Sequence, residues 1–364
     1  MLQSFPTSDA FALIFWIGTL LTVSLAVLGF GIVVQAVRTE RSHNRREALK
    51  PDVRTALFDR LRSDDPDWDS WVNGLTPTER DVLRDLLDEH LRLLDGSDRD
   101  RLQPLAAALG VDRWAIRTLE TDDRYAKLAA LGWLALLDHS HDPDRIERTC
   151  SDDAALRAAG ARVMLEQRYA NATERGIRLL LEDPTESLTA FGLDTLYELT
   201  RSRPDSLIEY ARTRHEDWTS TLLVQVLRVL RTTALMDVDS SLGWIVDQCE
   251  HESPAVRAAA IRSLADSGWR EELRSRVPIE SLTADSSSAV RTATYQTLGA
   301  WRVPEACERL SRAARNERNP RCRLSAVRAF SHNQCQERVA SGLTDEFPQL
   351  WDWVAATRQS RASQ

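Results

Sequence analysis

Residues 253–268 read SPAVRAAAIRSLADSG, and this stretch decides the fold because its pattern returns twice further along the chain. Residues 287–300 read SSAVRTATYQTLGA, and residues 319–331 read NPRCRLSAVRAFS. Each copy begins with a capping or turn residue, continues with an apolar and a basic residue, and then places small and large apolar residues at helical spacing. The arginines at positions 257, 291 and 323 lie 34 and 32 residues apart in these copies. A pattern that recurs at such a spacing is typical of a repeat protein.

Four weaker copies precede these three and complete a regular array. They are residues 123–137, 153–165, 186–199 and 221–233. When all copies are aligned on Arg257, successive copies lie 30, 32, 34, 34, 34 and 32 residues apart. The residues that align with Arg257 are Lys127, Arg157, Thr189, Leu223, Arg291 and Arg323. This regularity predicts one helical unit repeated along the chain.

Two further aligned positions indicate how the units pack. One is mostly small: Ala130, Gly160, Gly192, Val226, Ala260, Thr294 and Ala326. The other is large and apolar: Leu134, Met164, Leu196, Leu230, Leu264, Leu298 and Phe330. Second helices are expected between copies, at residues 173–181, 204–212 and 240–249. Because such a unit cannot bury its own apolar face, stacking must supply the core. The predicted fold class is all-α, with an α-solenoid of helical hairpins over residues 122–343.

The N-terminal segment carries no charged residue between Asp9 and Arg38. About 20 apolar residues cross a bilayer core, so residues 10–37 predict a single transmembrane helix. A cleaved signal peptide is the alternative, but it requires a basic n-region and a shorter apolar run. Basic residues begin only at Arg38, and such residues stay on the cytoplasmic side. Residues 1–9 are therefore expected outside and the remainder in the cytoplasm, at the inner membrane. Gly18, Thr22 and Ala26 recur every four residues and are candidates for a small-residue packing stripe. The alternative is that such residues are simply common in spanning helices.

Three further segments are predicted, two between the transmembrane helix and the repeat array and one after the array. They are a charged juxtamembrane helix and acidic linker at residues 38–75, a helical neck at residues 76–121, and a C-terminal cap and tail at residues 344–364. Within the linker, residues 63–70 predict a loop. Thr76 and Glu79 predict a capping box at the start of the first neck helix, and Gly96 is expected to end that helix.

The composition narrows the possible partners and cofactors. A net charge of −8 argues against a general nucleic-acid binder. The five scattered cysteines, with no C-x-x-C pair, indicate buried reduced thiols rather than a zinc site or disulfide framework. His139 and His141 lie in a turn between helices, where polar residues are ordinary, so no metal or other cofactor is predicted. The motifs of phosphate-binding, dinucleotide-binding and hydrolytic enzymes are absent from the sequence, so no enzymatic activity is predicted.

The residues Pro254, Val256, Arg257, Ala260 and Leu264 resemble the second helix of a HEAT repeat, and the resemblance covers residues 111–340. The layout of one span, a helical neck and a HEAT array is similar to membrane-anchored bacterial HEAT-repeat proteins, some of which accompany envelope polysaccharide glycosyltransferases. This resemblance implies a scaffold or adaptor that docks a protein partner at the inner membrane, such as an envelope polysaccharide or signalling complex. The alternative is a HEAT-like-repeat enzyme of the alkylpurine DNA glycosylase type, which uses a basic concave face with aromatic and carboxylate side chains.

The candidate binding face is the basic surface of the last copies. Residues 251–340 carry 15 Arg against 10 Asp/Glu, whereas residues 51–125 carry 18 Asp/Glu against 11 Arg. This asymmetry suits an acidic partner or an anionic membrane surface. The candidate residues are Arg257, Arg291, Arg312, Arg315, Arg321 and Arg323.

An internal role is the alternative for the aligned arginines. Asp285 and Glu317 each lie six residues before an aligned arginine. That spacing resembles the acid–base ladder between repeats of HEAT arrays, and it is favoured because a buried charge requires a partner. In the tail, Trp351 and Trp353 are candidate partner anchors. Their alternative role is to cover the open face of the last repeat.

Overall fold

A computed structural model describes residues 44–63, 65–94, 96–137, 142–167, 169, 171–183, 185–233, 239–266, 275–302 and 304–332, together with the isolated positions 16, 20, 24 and 40. Within these ranges the regular elements are helices and no residue lies in a β-strand, as the all-α prediction requires. The chain divides into two compact units, Met1–Arg113 and Trp114–Gln364.

The first unit consists of short and medium helices. Helix α1 covers residues 44–61, α2 is Trp68–Gly74, α3 is Pro77–Leu93 and α4 is Ser97–Ala108. Helix α5, Val111–Thr118, contains the boundary with the second unit. At the start of α3, the Glu79 carboxylate accepts the Thr76 backbone N–H at 2.8 Å while the Thr76 hydroxyl accepts the Glu79 N–H. The predicted capping box is confirmed.

Two details of the linker and neck differ from the sequence predictions. The loop expected at residues 63–70 is wrong in its second half, because α2 begins at Trp68 under an Asp67 cap that accepts the Ser70 N–H at 3.1 Å. Helix α2 has only seven residues, which is too few to display a clear helical period, so the sequence pattern did not predict it. Gly96 does not end α3. It precedes α4 with φ of 65°, a left-handed conformation that glycine adopts without strain.

The core of the first unit comes from leucines that recur at helical spacing on α3 and α4. The fully buried members are Leu83, Leu86, Leu87, Leu91, Leu102 and Leu105. Burying one leucine stabilises the fold by about 1.5–3 kcal/mol, so this stripe is what holds α3 against α4. On the opposite side of α3, Asp81 pairs with Arg46 of α1 at 2.8 Å.

The second unit is a stack of helical hairpins in two layers. The repeat-helix layer contains α6 (Arg124–Leu136), α8 (Ala154–Glu166), α10 (Ala190–Thr200), α12 (Ser220–Thr232), α14 (Pro254–Ser263), α16 (Ser288–Trp301) and α18 (Pro320–His332). The second-helix layer contains α7 (Pro143–Cys150), α9 (Ala172–Leu180), α11 (Pro204–Arg214), α13 (Asp239–Asp247), α15 (Ile279–Thr283) and α17 (Pro304–Asn316). Each repeat helix packs against the next one in its own layer.

The aligned small and large positions lie between these helices, as predicted. Every described member of both sets is buried. Gly160 shows why a small residue is needed, since a Cβ at this position would come within 2.9 Å of the Cys150 Sγ on α7. Small residues thus let the two layers approach, and the large residues fill the space between neighbouring repeats.

Side-chain hydrogen bonds set the register between consecutive repeat helices. Ser263 Oγ of α14 donates to the Leu227 carbonyl of α12 at 2.7 Å. At the equivalent position of α16, Thr297 Oγ1 donates to the Ile261 carbonyl at 3.0 Å. Sliding one helix along the other would break both bonds. The Ser263 hydroxyl would keep its bond to the Ala259 carbonyl at 2.9 Å, but the buried Thr297 hydroxyl would lose its partner, which costs free energy.

The cysteines agree only in part with the expectation of five reduced thiols. Cys150, Cys249 and Cys322 are free and buried. Burial raises the pKa of Cys150 and of Cys249 to about 12. Cys307, by contrast, is disulfide-bonded, so the expectation is wrong at this position.

Candidate functional site

The aligned arginines form a ladder between neighbouring hairpins. Arg257 on α14 donates from Nε and Nη2 to the two carboxylate oxygens of Asp285, at 2.8 and 2.9 Å. Its third nitrogen, Nη1, donates to the backbone carbonyls of His251 and Glu252, both at 2.8 Å. One guanidinium therefore ties the loop before its own helix to the loop before the next repeat helix.

The same geometry returns one repeat later. Arg291 donates from Nε and Nη2 to Glu317 at 2.8 and 2.9 Å, and from Nη1 to the carbonyls of Asp285 and Ser286 at 2.7 and 3.1 Å. The Tyr295 hydroxyl donates to the same carboxylate at 3.2 Å. The side chain of Glu317 is 5% exposed and that of Arg291 is 18% exposed, so the carboxylate of this rung is the better buried partner.

The ladder perturbs the acids that it contains. The hydrogen bond from Arg291 is the main reason that the pKa of Glu317 falls to about 2. Burial raises the pKa of Asp285, but hydrogen bonds from Arg257 and a backbone N–H outweigh it and the net pKa is lowered. Burial, reinforced by the charge of Glu317, raises the pKa of the Tyr295 hydroxyl. These carboxylates are thus held ionised and do not serve as proton donors at neutral pH.

A related rung occurs early in the array. Arg157 on α8 donates to the Glu186 carboxylate and, at 2.7 Å, to the Ser151 carbonyl. Its side chain is 5% exposed. Arg157 thus bridges two loops as Arg257 does, but it binds its acid through one nitrogen instead of two, and Glu186 is 52% exposed. The ladder therefore extends, in a looser form, to a copy with a weaker sequence pattern.

The middle of the array replaces the arginine with an amide. Thr189 and Leu223 stand at the aligned position there. Gln225, two residues after Leu223, accepts the Leu188 N–H at 2.8 Å and donates to the Leu188 carbonyl at 2.9 Å. A neutral side chain therefore joins α12 to the loop before α10. The sequence did not predict this contact, because glutamine is uncharged and no acidic residue at a regular spacing accompanies it.

Three of the six candidate binding arginines stand at the aligned position of the ladder. Arg257 and Arg291 bind the next repeat, and Arg323 donates to the Glu317 carbonyl from Nε at 2.9 Å and from Nη2 at 2.6 Å. The inter-repeat ladder, which was the alternative to ligand binding, is confirmed for Arg257 and Arg291. For Arg323 these hydrogen bonds fasten the loop before its own helix and do not reach another repeat. Their guanidiniums are engaged by the protein itself.

The other three candidates lie at the surface of the last hairpin. Arg312 on α17 is exposed and pairs with Glu308 at 3.1 Å, within its own helix. Arg315 and Arg321 are also exposed. The structure does not gather all six candidates into one face.

A groove of about 630 Å³ lies beside this ladder rung. Of the six candidates, Arg291 and Arg312 line the groove and the others do not. Arg309 and Arg318 add positive charge, and Glu280 pairs with Arg309 across the groove at 3.2 Å. The groove therefore has a mixed lining rather than a purely basic one.

A second groove, of about 600 Å³, was not predicted from the sequence. It lies between α9 and α11, and its apolar lining includes Ile177, Ile208 and Tyr210. Glu174, Asp205 and Glu209 add negative charge to its lining, and Arg212 adds one positive charge. The apolar residues that line it follow the ordinary period of a helix, so nothing in the sequence distinguishes them from core residues.

Several predicted features lie outside the described residues. These are Trp351 and Trp353, the packing stripe at Gly18, Thr22 and Ala26, nearly all of the span at 10–37, and the histidines at 139 and 141. Over the residues that the structure does describe, no helix is both long and apolar enough to cross a bilayer. In the same part of the chain, no cluster of His, Cys, Asp and Glu side chains is arranged to hold a metal ion.

Stacked two-helix units joined through their loops define the α-solenoid class of protein. Residues 242–331 match the family model for HEAT repeats. This part of the chain is thus a HEAT-repeat array, as the resemblance in its sequence had implied. No curated protein matches the chain.

Proposed function

We propose that this protein is a scaffold that is anchored in the membrane by residues 10–37 and docks a protein partner through its HEAT array. HEAT repeats generally mediate protein–protein interaction, and the match over residues 242–331 is the observation that carries the proposal. The ladder supports it, because internal pairing of Arg257 and Arg291 makes the array a stiff platform. Stiff platforms bind partners with little loss of conformational entropy.

The glycosylase alternative loses part of its support in the structure. That alternative drew on the arginines of the last copies and on the abundant tryptophans. Trp244 and Trp301 are each only 6% exposed, and the Trp301 indole N–H donates to the Leu264 carbonyl at 2.9 Å. Side chains in these positions pack the core and do not present a stacking surface for a base. We therefore propose a binding role and no catalysis.

The location follows from the charge on the two sides of the apolar segment. Asp9 is the only charge before it, and arginines begin at Arg38 after it. We propose a single-pass protein of the inner membrane, with the array in the cytoplasm. Five reduced cysteines would also have indicated a reducing compartment, but Cys307 is disulfide-bonded. We therefore base the proposed orientation on the flanking charges alone.

The anchor is tested by placing a charge at its centre. Arginine at a helix centre opposes insertion by about 2.5–3.5 kcal/mol, so Val23→Arg is expected to move the protein from a carbonate-resistant membrane fraction to the soluble fraction. Thr7→Arg, outside the span, is the matched control and should remain with the membranes. Equal fractionation of both variants with the wild type would refute the anchor.

The scaffold role is tested by crosslinking the full chain in its native membranes and identifying the captured proteins by mass spectrometry. We expect one membrane protein to be recovered reproducibly and to co-purify in mild detergent. Recovery of the chain only as a monomer, under conditions where a known membrane complex is captured, would refute the role.

A further inference from the structure

The repeat-helix layer carries a cluster of three arginines where α12 packs against α14. The hydrogen bond from Ser263 to the Leu227 carbonyl fixes the register of these two helices at 2.7 Å. The next residue on α12 is Arg228, and the preceding residue on α14 is Arg262, so the two arginines stand at the same aligned position of successive repeats. The charges of Arg231 and Arg228 both act on the Arg262 guanidinium. Arg231 lies three residues beyond Arg228, on the same face of α12.

The positive charge of this arginine cluster is compensated only at its edge. Asp266 lies 3.5 Å from Arg231, and both side chains are about half exposed or more. No described carboxylate pairs with Arg228 or Arg262, and the Arg262 Nη1 reaches only the Ala258 carbonyl, at 3.5 Å. Burial lowers the pKa of the Arg262 guanidinium, and the charges of Arg231 and Arg228 lower it further. Three like charges are therefore held close together with one carboxylate nearby.

The equivalent position in an earlier repeat is arranged differently. Arg162 on α8 aligns with Arg228 and Arg262, five residues after the ladder position. Arg162 pairs with Asp194 on the next repeat helix and with Glu166, at 3.7 Å, on its own helix. The repeat architecture can thus neutralise an arginine at this position, and at α12 and α14 it does not.

We propose that the arginine cluster of Arg228, Arg231 and Arg262 docks a short Asp/Glu-rich segment of the protein partner. Two or three carboxylates from such a segment would complete the hydrogen bonds that the guanidiniums lack. Asp266 stands at the edge of the cluster, 3.5 Å from Arg231, so the uncompensated positive charge is confined to a small patch. Such a patch suits a short acidic segment better than a long polyanion such as DNA or an anionic lipid surface, which need a wider basic surface. This inference rests on the proposed scaffold function and names the chemistry of its partner.

The test measures binding of a fluorescein-labelled hexaglutamate peptide to the full-length protein by fluorescence anisotropy at about 50 mM salt, where surface charges are little screened. We expect the double variant Arg228→Gln/Arg262→Gln to raise the dissociation constant of the peptide at least about tenfold, because charge-assisted hydrogen bonds between peptide and protein are lost. The matched control is Arg62→Gln with Arg212→Gln, which removes the same charge from exposed pairs with Asp59 and Glu209, at 3.6 and 3.5 Å. This control should bind within about twofold of the wild type.

Thermal unfolding supplies a second readout. Removing a crowded, unpaired charge should leave the melting temperature of the free Arg262→Gln protein unchanged or higher, and the peptide should raise the melting temperature of the wild type only. A lower melting temperature would mean that Arg262 has a structural role, and it would overturn the proposal.

Equal binding by the two double variants, or stronger binding of a DNA duplex or of phosphatidylserine vesicles than of the peptide, would also overturn it. If the crosslinked partner is still captured by the Arg228→Gln/Arg262→Gln variant, the scaffold function stands and this docking site is wrong.

Discussion

The ladder rung between Arg291 and Glu317 offers the sharpest test of how this array is stabilised. The perturbation is Glu317→Gln, which keeps the shape of the side chain and removes its charge. The pKa of Glu317 falls from the ordinary 4.5 to about 2, chiefly through the Arg291 hydrogen bond. That difference corresponds to about 3 kcal/mol in favour of the folded carboxylate. Because glutamine retains some of the hydrogen bonds, we expect a loss of about 2–3 kcal/mol at neutral pH.

Hydrogen exchange read by mass spectrometry is the appropriate assay, because repeat arrays open locally rather than as one unit. Peptides from α16 to α18 should exchange about 30- to 150-fold faster in Glu317→Gln than in the wild type, whereas peptides from the first unit should not change. The control is Glu280→Gln. Its carboxylate also pairs with an arginine, at 3.2 Å, but is 85% exposed. The control should accelerate exchange by less than about threefold.

The pH dependence gives this prediction a definite sign. A carboxylate whose folded pKa is lowered stabilises the protein above its unfolded pKa, and the stabilisation is lost as the pH falls through the folded pKa. For Glu317 that window runs from about pH 4.5 to about pH 2. The ratio of exchange rates between variant and wild type should therefore be largest above pH 5 and shrink across this window. A ratio that does not depend on pH, or equal effects of both variants, would refute the reasoning.

Two further predictions concern packing and thiol burial. Gly299→Ala places a Cβ 2.9 Å from the backbone of α18, so it should destabilise the array by about 1–3 kcal/mol in the same exchange assay. Gly74→Ala, where nothing lies within 4 Å, should be neutral or slightly stabilising, and a comparable loss there would contradict the packing argument. The pKa of the Cys150 and Cys249 thiols is raised to about 12, so alkylation at pH 8 should label them only after denaturation. Labelling of the native protein at either residue, seen by peptide mass spectrometry, would show that these thiols are accessible.

The sequence was most informative where one residue position determines a local property. The aligned positions of Ala260 and Leu264 predicted which side chains are buried, because a helix exposes the same face every 3.6 residues. Thr76 and Glu79 predicted the start of α3, because a capping box lies within one turn of the chain. Such features need no knowledge of the neighbouring elements.

The ladder was predictable only in part. Asp285 and Glu317 were recognised as acids at a regular distance from the aligned arginines. The substitution by Gln225 in the middle of the array was not recognised, since an amide that binds a backbone N–H and C=O has no complementary residue to reveal it. Assigning Arg257 and Arg291 to the ladder rather than to a partner required the distances themselves.

By itself, the sequence determined the helical hairpins, their period and the buried faces, and it led to the HEAT-repeat assignment, since all of these follow from patterns local to each helix. Only the tertiary structure decided which charges meet. Arg228 and Arg262 lie 34 residues apart, and their proximity depends on the register that the hydrogen bond from Ser263 sets between α12 and α14. A shift of one residue would rotate each side chain by about 100° around its helix and separate the pair. The 34-residue period does place Arg228 and Arg262 at one aligned position, but only the structure shows that no described carboxylate pairs with either of them.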